Sequence, residues 1–354
     1  MPVATANSLT SVCSMQVTES GSVRVDLVGG TLDIEPINLI LKDVWTLNVA
    51  TGLKAHVELE TTNHPGIEIH SADYNKTYRF EESELTEDNI LYTDRFKEMT
   101  FVVQILHLFN IHKNIKVTLK SGAPAGSGLG GSSAMGVTLY KALARYTGAG
   151  FEVKKAVQRV KGVESRILNQ GMAGYQDYFP ALVGGVLALR GVEGDVIIEQ
   201  HYSDELKSFL EGHIALVYSG LSRASGINNW EVYKGFFDRR PEVVEGLKAI
   251  AEISSQTRSA LKEKNFKRVL ELIGLEGEAR EKLFPSIVTD KIRDLADELL
   301  KDGHKVGLKM CGAGGGGCFI LTHNGLSNEV LNSYIFRFNM KRLDFKIEAP
   351  LPRA

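Results

Sequence analysis

The sequence predicts an α+β protein built as two domains, and three observations carry that prediction. An alternating apolar run from Ile115 to Leu119 leads into a glycine-rich stretch and then a helical pattern, so strand, loop and helix follow one another near residue 125. A second glycine run, Cys311 to Gly317, lies between two strand-like segments far down the chain. Between the two, the order of elements changes at about residue 195, where a strand is followed by three consecutive helical stretches. A chain of 354 residues, 43% hydrophobic and 24% charged, is long enough for two cores. The boundary falls at Glu193-Gly194-Asp195, which gives a flexible lead-in at 1–20, a first domain at 21–193 and a second at 194–354.

The elements follow in order. Residues 1–20 are rich in Ser and Thr and contain no Lys or Arg, which argues against a secretory signal. Val23 to Val28 alternates as a strand: Val23, Val25 and Leu27 face a core, Arg24 and Asp26 face the other way. It runs into the turn Gly29-Gly30-Thr31-Leu32-Asp33. Trp45–Ala50 and Leu53–Glu60 read as a strand pair with Gly52 at the turn, and Ile67–His70 and Thr77–Phe80 as short strands. Residues 81–96 form an acidic connection, and Phe101, Val102, Ile105, Leu106 and Phe109 mark an amphipathic helix over 97–110. Helices are expected at about 132–146 and 152–168, then a break at 169–174 and a strand from Val186 to Leu189. The second half reads as strand 214–218, helices near 226–238, 241–263, 265–275 and 286–302, strands 306–309 and 318–321, a helix at 326–338 and a strand at 345–347. No repeat of solenoid period is present.

Bulk properties exclude several classes of function. A formal net charge of −2 offers no global basic field for nucleic acid or an anionic membrane. No apolar run approaches a membrane span. The three cysteines, Cys13, Cys311 and Cys318, are odd in number and lack metal-ligand spacing, as expected of free thiols in a reducing, cytoplasmic setting.

The chemistry concentrates in Pro124-Ala125-Gly126-Ser127-Gly128-Leu129-Gly130-Gly131-Ser132-Ser133-Ala134. Glycines let backbone N–H groups crowd around an anion, and the helix start adds unpaired donors and a partial positive charge. Ser132 and Ser133 supply hydroxyls for phosphate oxygens or a metal ion. Gly126, Gly128 and Gly131 match G-x-G-x-x-G, yet no second strand ending in an acid follows, so a dinucleotide unit is disfavoured. No lysine follows the glycines as a P-loop requires, and the chain has no H-R-D or D-F-G triplet. What remains is a nucleotide site whose charge balance comes from a metal ion and from distant basic residues.

These residues resemble the central motif of the GHMP small-molecule kinases. The likeness extends to the first strand with Gly29-Gly30-Thr31-Leu32-Asp33, to Gly174-Tyr175-Gln176-Asp177, and to Lys309-Met310-Cys311-Gly312-Ala313-Gly314-Gly315-Gly316-Gly317. Within the family, Gly-x-Gln-Asp, the four-glycine run and Tyr218-Ser219-Gly220-Leu221-Ser222-Arg223 are similar to the D-glycero-D-manno-heptose 7-phosphate kinases and related sugar 1-kinases. The resemblance implies a ribosomal-protein-S5-domain-2-like N-terminal domain that binds nucleotide and a ferredoxin-like C-terminal domain. It implies ATP and Mg²⁺, a small sugar or sugar-phosphate acceptor, no nucleic-acid or membrane partner, and it allows a homodimer. The nucleotide would lie on Pro124, Gly126, Ser127, Gly128, Leu129, Gly130, Gly131, Ser132 and Ser133. Ser133, with Ser132, and Glu164 would hold the metal. Asp177 would be the general base or an orienting carboxylate for the acceptor hydroxyl, and Arg24 its partner at the transferring phosphoryl. Gly29, Gly30, Asp33, Gly314 and Gly315 would line the acceptor, with Arg223, or alternatively Lys309, for an acceptor phosphate. The competing implications are a mevalonate or phosphomevalonate kinase of the same fold and a catalytically silent sensor.

Overall fold

A computed structural model describes residues 15–168, 173–221 and 226–352. Strands with one apolar face build the first sheet: Ile67 and Ile69, and Ile115, Val117 and Leu119, alternate buried with partly exposed neighbours. The strands are β1 (Gln16–Val28), β2 (Thr46–Thr61), β3 (Ile67–Ser71), β4 (Lys76–Phe80), β5 (Ile115–Lys120), β6 (Val186–Val192) and β7 (Asp195–Gln200). They form one sheet in the order β4-β3-β5-β2-β6-β7, and β1 pairs antiparallel with β2. The β3–β5 pair is parallel. Helices α1 (Ile37–Ile40), α2 (Glu87–Tyr92), α3 (Thr100–His107), α4 (Gly131–Thr147), α5 (Val153–Leu168) and α6 (Phe179–Val183) accompany it. Of these, α4 lies along β1 and β2 with Ala134, Val137, Leu139 and Leu143 fully buried.

The second half adds α7 (Asp204–His213), β8 (Ile214–Tyr218), α8 (Gly226–Phe237), α9 (Pro241–Lys262), α10 (Phe266–Glu281), α11 (Asp290–Lys301), β9 (Val306–Met310), β10 (Cys318–His323), α12 (Asn328–Arg337) and β11 (Lys341–Leu343). Its sheet is antiparallel in the order β11-β8-β10-β9. Helix α10 packs on β9 and α9 and also reaches β1, so it links the two sheets.

Several expectations are corrected. The lead-in expected over 1–20 gives way to strand by Gln16, which pairs with Glu60. Gly52 is no turn: β2 runs through it as a single 16-residue strand. The partners of Ser22 and Arg24 are Lys54 and Ala50, so Thr51–Leu53 bulge opposite Val23. Glu193-Gly194-Asp195 is the turn of a β6–β7 hairpin, and β7 belongs to the first sheet, so the boundary expected there is not a linker. The last strand lies at Lys341–Leu343; Ile347, expected within it, makes an isolated bridge to Thr51. Helix α10 runs on to Glu281, past the expected end at 275.

Candidate active site

The loop between β5 and α4 has the geometry its glycines suggest. Gly126, Gly128 and Gly130 take φ of 66°, 77° and 70°, the left-handed region that alternates N–H directions into a concave nest. Gly130 is the N-cap of α4, and no side chain caps the first-turn N–H groups. A 17-residue helix thus presents its positive end at the nest. Ser132 is exposed at this end, whereas Ser133 is buried and its Oγ donates to Glu164 Oε2 at 2.7 Å. Tyr178 Oη donates to the same oxygen, also at 2.7 Å. Burial pushes the Glu164 carboxyl up, and these two donors pull the other way.

Asp177 sits where this loop meets β1. It follows Gln176 in a segment anchored by two buried rings: Tyr178, and Tyr175, whose Oη accepts from Gly191 N at 2.7 Å. The buried Arg24 donates through Nε to Asp177 Oδ1 at 2.9 Å, and its Nη2 lies 2.7 Å from the same oxygen. Arg24 Nη1 donates to the Gly128 carbonyl, and Arg24 N to the Leu129 carbonyl at 3.1 Å. Burial opposes the Arg24 charge, but Asp177 and Asp26 outweigh it and push its pKa up. A Cβ on Gly130 would lie 3.1 Å from Asp177 Cβ, so loop and carboxylate are in contact. Asp177 remains 30% exposed, which leaves it reachable from solvent.

Asp33 stands behind Asp177 and is 1% exposed. Its Oδ2 accepts from Gln176 N at 2.9 Å and its Oδ1 from Gln176 Nε2 at 3.4 Å. Burial, then the neighbouring Asp177 charge, pushes its pKa up to about 6. A Cβ on Gly174 would collide with this carboxylate at 1.9 Å, so Gly174 is required for the approach. Asp33 thus holds the peptide before Asp177 rather than facing open solvent.

Other expected site residues have different occupations. Lys309 is 1% exposed and pairs with Asp26 Oδ2 at 3.0 Å, so it is not available to an acceptor phosphate. Gly315 N donates to the Ile287 carbonyl at 2.7 Å, and a Cβ on Gly314 would meet that carbonyl at 2.6 Å. These two glycines therefore brace the second loop against Ile287. Arg223, with Ser222, lies outside the described residues. Gly29 and Gly30 are engaged by Glu276 and Arg280 of α10, two residues that sequence reasoning missed. The glycines Gly274 and Gly277 inside α10 were the available signal, since they let the helix sit on Gly307 and Leu308 of β9.

The arrangement offers an anion nest, a solvent-accessible carboxylate held by a guanidinium at its edge, and a hydroxyl–carboxylate pair beneath it. The family description "GHMP kinases N terminal domain" matches residues 97–185, and "GHMP kinases C terminal" matches residues 257–334. The L-fucokinase/L-fucose-1-P guanylyltransferase of Bacteroides fragilis is 24% identical over 83% of this chain, which spans only 33% of that protein's length. The mevalonate kinase of Saccharolobus solfataricus is 25% identical over 71% of this chain and 76% of its own. A solved mevalonate kinase superposes with a TM-score of 0.70 at 21% identity, covering 94% of this chain and 99% of that one. A D-glycero-D-manno-heptose 1-phosphate kinase from Bacteroides thetaiotaomicron gives 0.69 at 20% identity over 94% and 97%. These structural likenesses establish the two-domain fold. Among the described residues no helix is long and apolar enough to cross a membrane.

Proposed function

The chain belongs to the GHMP kinase family, and from that premise we propose that it transfers the ATP γ-phosphoryl group to a hydroxyl, the anomeric one, of a sugar or sugar phosphate. The observation that carries the proposal is the contact of Asp177 with both Arg24 and the nest glycine Gly130. It supports a reading in which a carboxylate able to accept a proton stands at the rim of a triphosphate cradle.

In phosphoryl transfer the protein mainly positions groups and neutralises charge. The nest and the start of α4 supply N–H donors to phosphate oxygens. Asp177 orients the acceptor hydroxyl and takes its proton. An anomeric hydroxyl is more acidic than an ordinary alcohol, so modest basicity suffices. Arg24 fixes the Asp177 carboxylate through two donors on one oxygen and leaves the second oxygen for the acceptor. Its guanidinium also places positive charge beside the transferring group.

The Ser133 hydroxyl and Glu164 carboxylate fit Mg²⁺, a hard cation that takes oxygen ligands and usually binds through one or two protein groups plus phosphates. Among the described residues no group of three or more His, Cys, Asp or Glu is placed to hold a metal ion, so the protein would supply only part of a shell. When bound there, Mg²⁺ would neutralise phosphate charge.

The sugar acceptor is supported by the fucokinase and heptose kinase likenesses. Mevalonate or phosphomevalonate is the second reading, favoured by the mevalonate kinase relatives. A coupled ADP-release assay across hexoses, heptoses, their phosphates, mevalonate and phosphomevalonate separates them. Turnover with a sugar or sugar phosphate is expected. Turnover only with the mevalonate compounds overturns the sugar assignment, and ATP binding with no turnover on any acceptor identifies a sensor.

A further inference from the structure

The turn after β1 is gripped from the other half of the molecule. Glu276 and Arg280 lie one helical turn apart on α10, both nearly without solvent exposure, and pair with each other. Glu276 Oε1 accepts from Gly29 N at 3.2 Å. Arg280 donates through Nη2 to the Gly30 carbonyl at 2.7 Å and through Nη1 to Thr31 Oγ1 at 3.3 Å. Three consecutive residues are thus held by one acid–base pair. Lys309 on β9 completes the cluster, 3.0 Å from Asp26 Oδ2 and 3.8 Å from Glu276 Oε2. Two cations and two anions make the cluster neutral. Burial works against the charge on Asp26 and on Arg280, and their opposite-charge neighbours outweigh it in each case.

The turn joins the two residues that hold Asp177. Arg24, two positions before Asp26 on the same strand, grips its carboxylate, and Asp33, three positions after Gly30, grips the peptide before it. The turn has no slack of its own. Thr31 takes a φ of 75°, unusual for a β-branched residue, and a Cβ on Gly30 would lie 2.1 Å from Asp26 Oδ2. The spacing between Arg24 and Asp33 is therefore set by what holds Gly29, Gly30 and Thr31.

We propose that Glu276 and Arg280 are positioning residues for phosphoryl transfer: they clamp the Gly29-Gly30-Thr31 turn and so fix Arg24 and Asp33 around Asp177. The clamp rests on the kinase reading given above for its catalytic consequence. It makes the acceptor side of the site, though assembled on the first sheet, dependent on a helix of the second half. Helix α10 also rests on β9 through Gly277, where a Cβ would collide with the Leu308 carbonyl at 1.8 Å, so the clamp is mounted on a backbone-to-backbone contact.

The test uses Glu276→Gln and Arg280→Lys in the full chain, with Arg258→Gln as the comparison. Arg258 pairs with Glu199 between α9 and β7 and lies over the Trp45 ring at 4.0 Å, without a hydrogen bond to the turn or to Asp177, so its loss reports removal of an ion pair and a ring contact outside the clamp. Glu276→Gln is expected to lower kcat/KM for the acceptor by about 10–100-fold, because small displacements of reacting groups cost that much. KM for ATP should stay within about twofold of wild type, since the clamp touches neither the nest nor α4. Arg280→Lys keeps the charge but loses the fork of donors and should fall between the two; it also serves if the Gln variant does not fold. Hydrogen exchange is read in parallel. Amides of 29–34 and 174–178 should exchange faster in both clamp variants, with a smaller change at 126–134, which the clamp reaches only through Arg24 on the Gly128 and Leu129 carbonyls. Folded clamp variants whose acceptor kcat/KM and exchange match Arg258→Gln overturn the proposal. The exchange readout needs no acceptor, so it decides the clamp even where the acceptor panel finds no turnover and the kinase reading falls.

Discussion

The two glycine loops have similar composition and opposite physical roles. In the first, Gly126, Gly128 and Gly130 bend the backbone so that a helix begins with no side-chain cap on its N–H groups, the arrangement our proposal gives to the phosphates. In the second, Gly312, Gly314, Gly315, Gly316 and Gly317 are also left-handed, but their backbones are pressed into neighbours. A Cβ on Gly314 would strike the Ile287 carbonyl at 2.6 Å, and one on Gly317 would strike the Ser127 carbonyl at 2.7 Å. Cys318 N donates to that same Ser127 carbonyl at 2.6 Å. The second loop packs between β9 and β10 against the Ser127 carbonyl of the first loop and against Ile287. Glycine content alone says that a backbone must come close to something; only the neighbours decide whether that something is a ligand or the protein itself.

The contrast is broken most severely at the carboxylate touching the first loop. Asp177→Asn keeps the shape of the side chain but removes its proton affinity and most of its attraction for Arg24. We expect kcat to fall by about 10²–10⁴-fold while ATP binding, measured by calorimetry, persists because the nest is intact. Kinase activity within a few-fold of wild type would remove Asp177 from the mechanism.

A matched pair of alanine substitutions probes the loops directly. Gly130→Ala and Gly314→Ala impose a similar backbone penalty, at φ of 70° and 73°, of about 1–2 kcal/mol each. They differ in what the new methyl meets. At Gly314 it meets the Ile287 main chain, so the expected result is a loss of roughly 4 °C or more in Tm with little change in KM for ATP. At Gly130 it pushes on the Asp177 side chain, and activity should fall by about 10–100-fold with a smaller change in Tm. Equal losses of activity and stability in the two variants would dissolve the distinction between the loops.

This division also explains what the sequence made legible. The nest, Asp177 and Arg24 could be read from the chain because each is marked by a local chemical anomaly: clustered glycines, a charge among aromatics, an arginine before a turn. Ser133 with Glu164 is suggested only by the family resemblance, since a glutamate on a helix is an ordinary solvated residue. Glu276 and Arg280 carry no such mark. An acid and a base four apart on a helix are the ordinary pattern of a solvated face, and their burial depends on α10 lying between β9 and β1, contacts distant in sequence. Lys309 was misread for the same reason: a lysine beside a glycine loop suggests phosphate, and only the fold shows Asp26 waiting opposite. Gly52 and Gly194 illustrate the limit in the other direction. Both were punctuation in the sequence, yet one marks a bulge inside a long strand and the other a hairpin within one sheet.

A smaller effect tests whether Asp33 belongs with the packed or the open side of the contrast. Its pKa is raised to about 6 by burial and by Asp177, from an ordinary 3.8. Between those values the folded protein holds a proton that the unfolded chain has released. The stability Asp33 contributes is therefore fully present below about pH 3.8 and is lost as the pH rises through about 6. Asp33→Asn removes the titration. The stability of wild type relative to this variant, from urea midpoints, should decline by about 2 kcal/mol between pH 4 and pH 7. A difference that stays flat, or rises with pH, would show that Asp33 is held in its charged form and faces the acceptor side.

The smallest expected effect lies beneath the first loop. The Ser133 hydroxyl donates its proton to Glu164 and keeps its lone pairs directed elsewhere. A metal ion accompanying the nucleotide could use those lone pairs without breaking that hydrogen bond. Ser133→Ala deletes one oxygen ligand and one of the two hydroxyl donors to Glu164 Oε2, while Tyr178 keeps the other. Loss of one neutral ligand from a site shared with phosphates and water should raise the Mg²⁺ concentration for half-maximal activity about tenfold, or roughly 1.4 kcal/mol. At saturating Mg²⁺ most of the activity should return, because the nest, Arg24 and Asp177 are untouched. An unchanged Mg²⁺ titration would leave Ser133 as packing for Glu164 alone, and the open character of the first loop would then rest on its backbone.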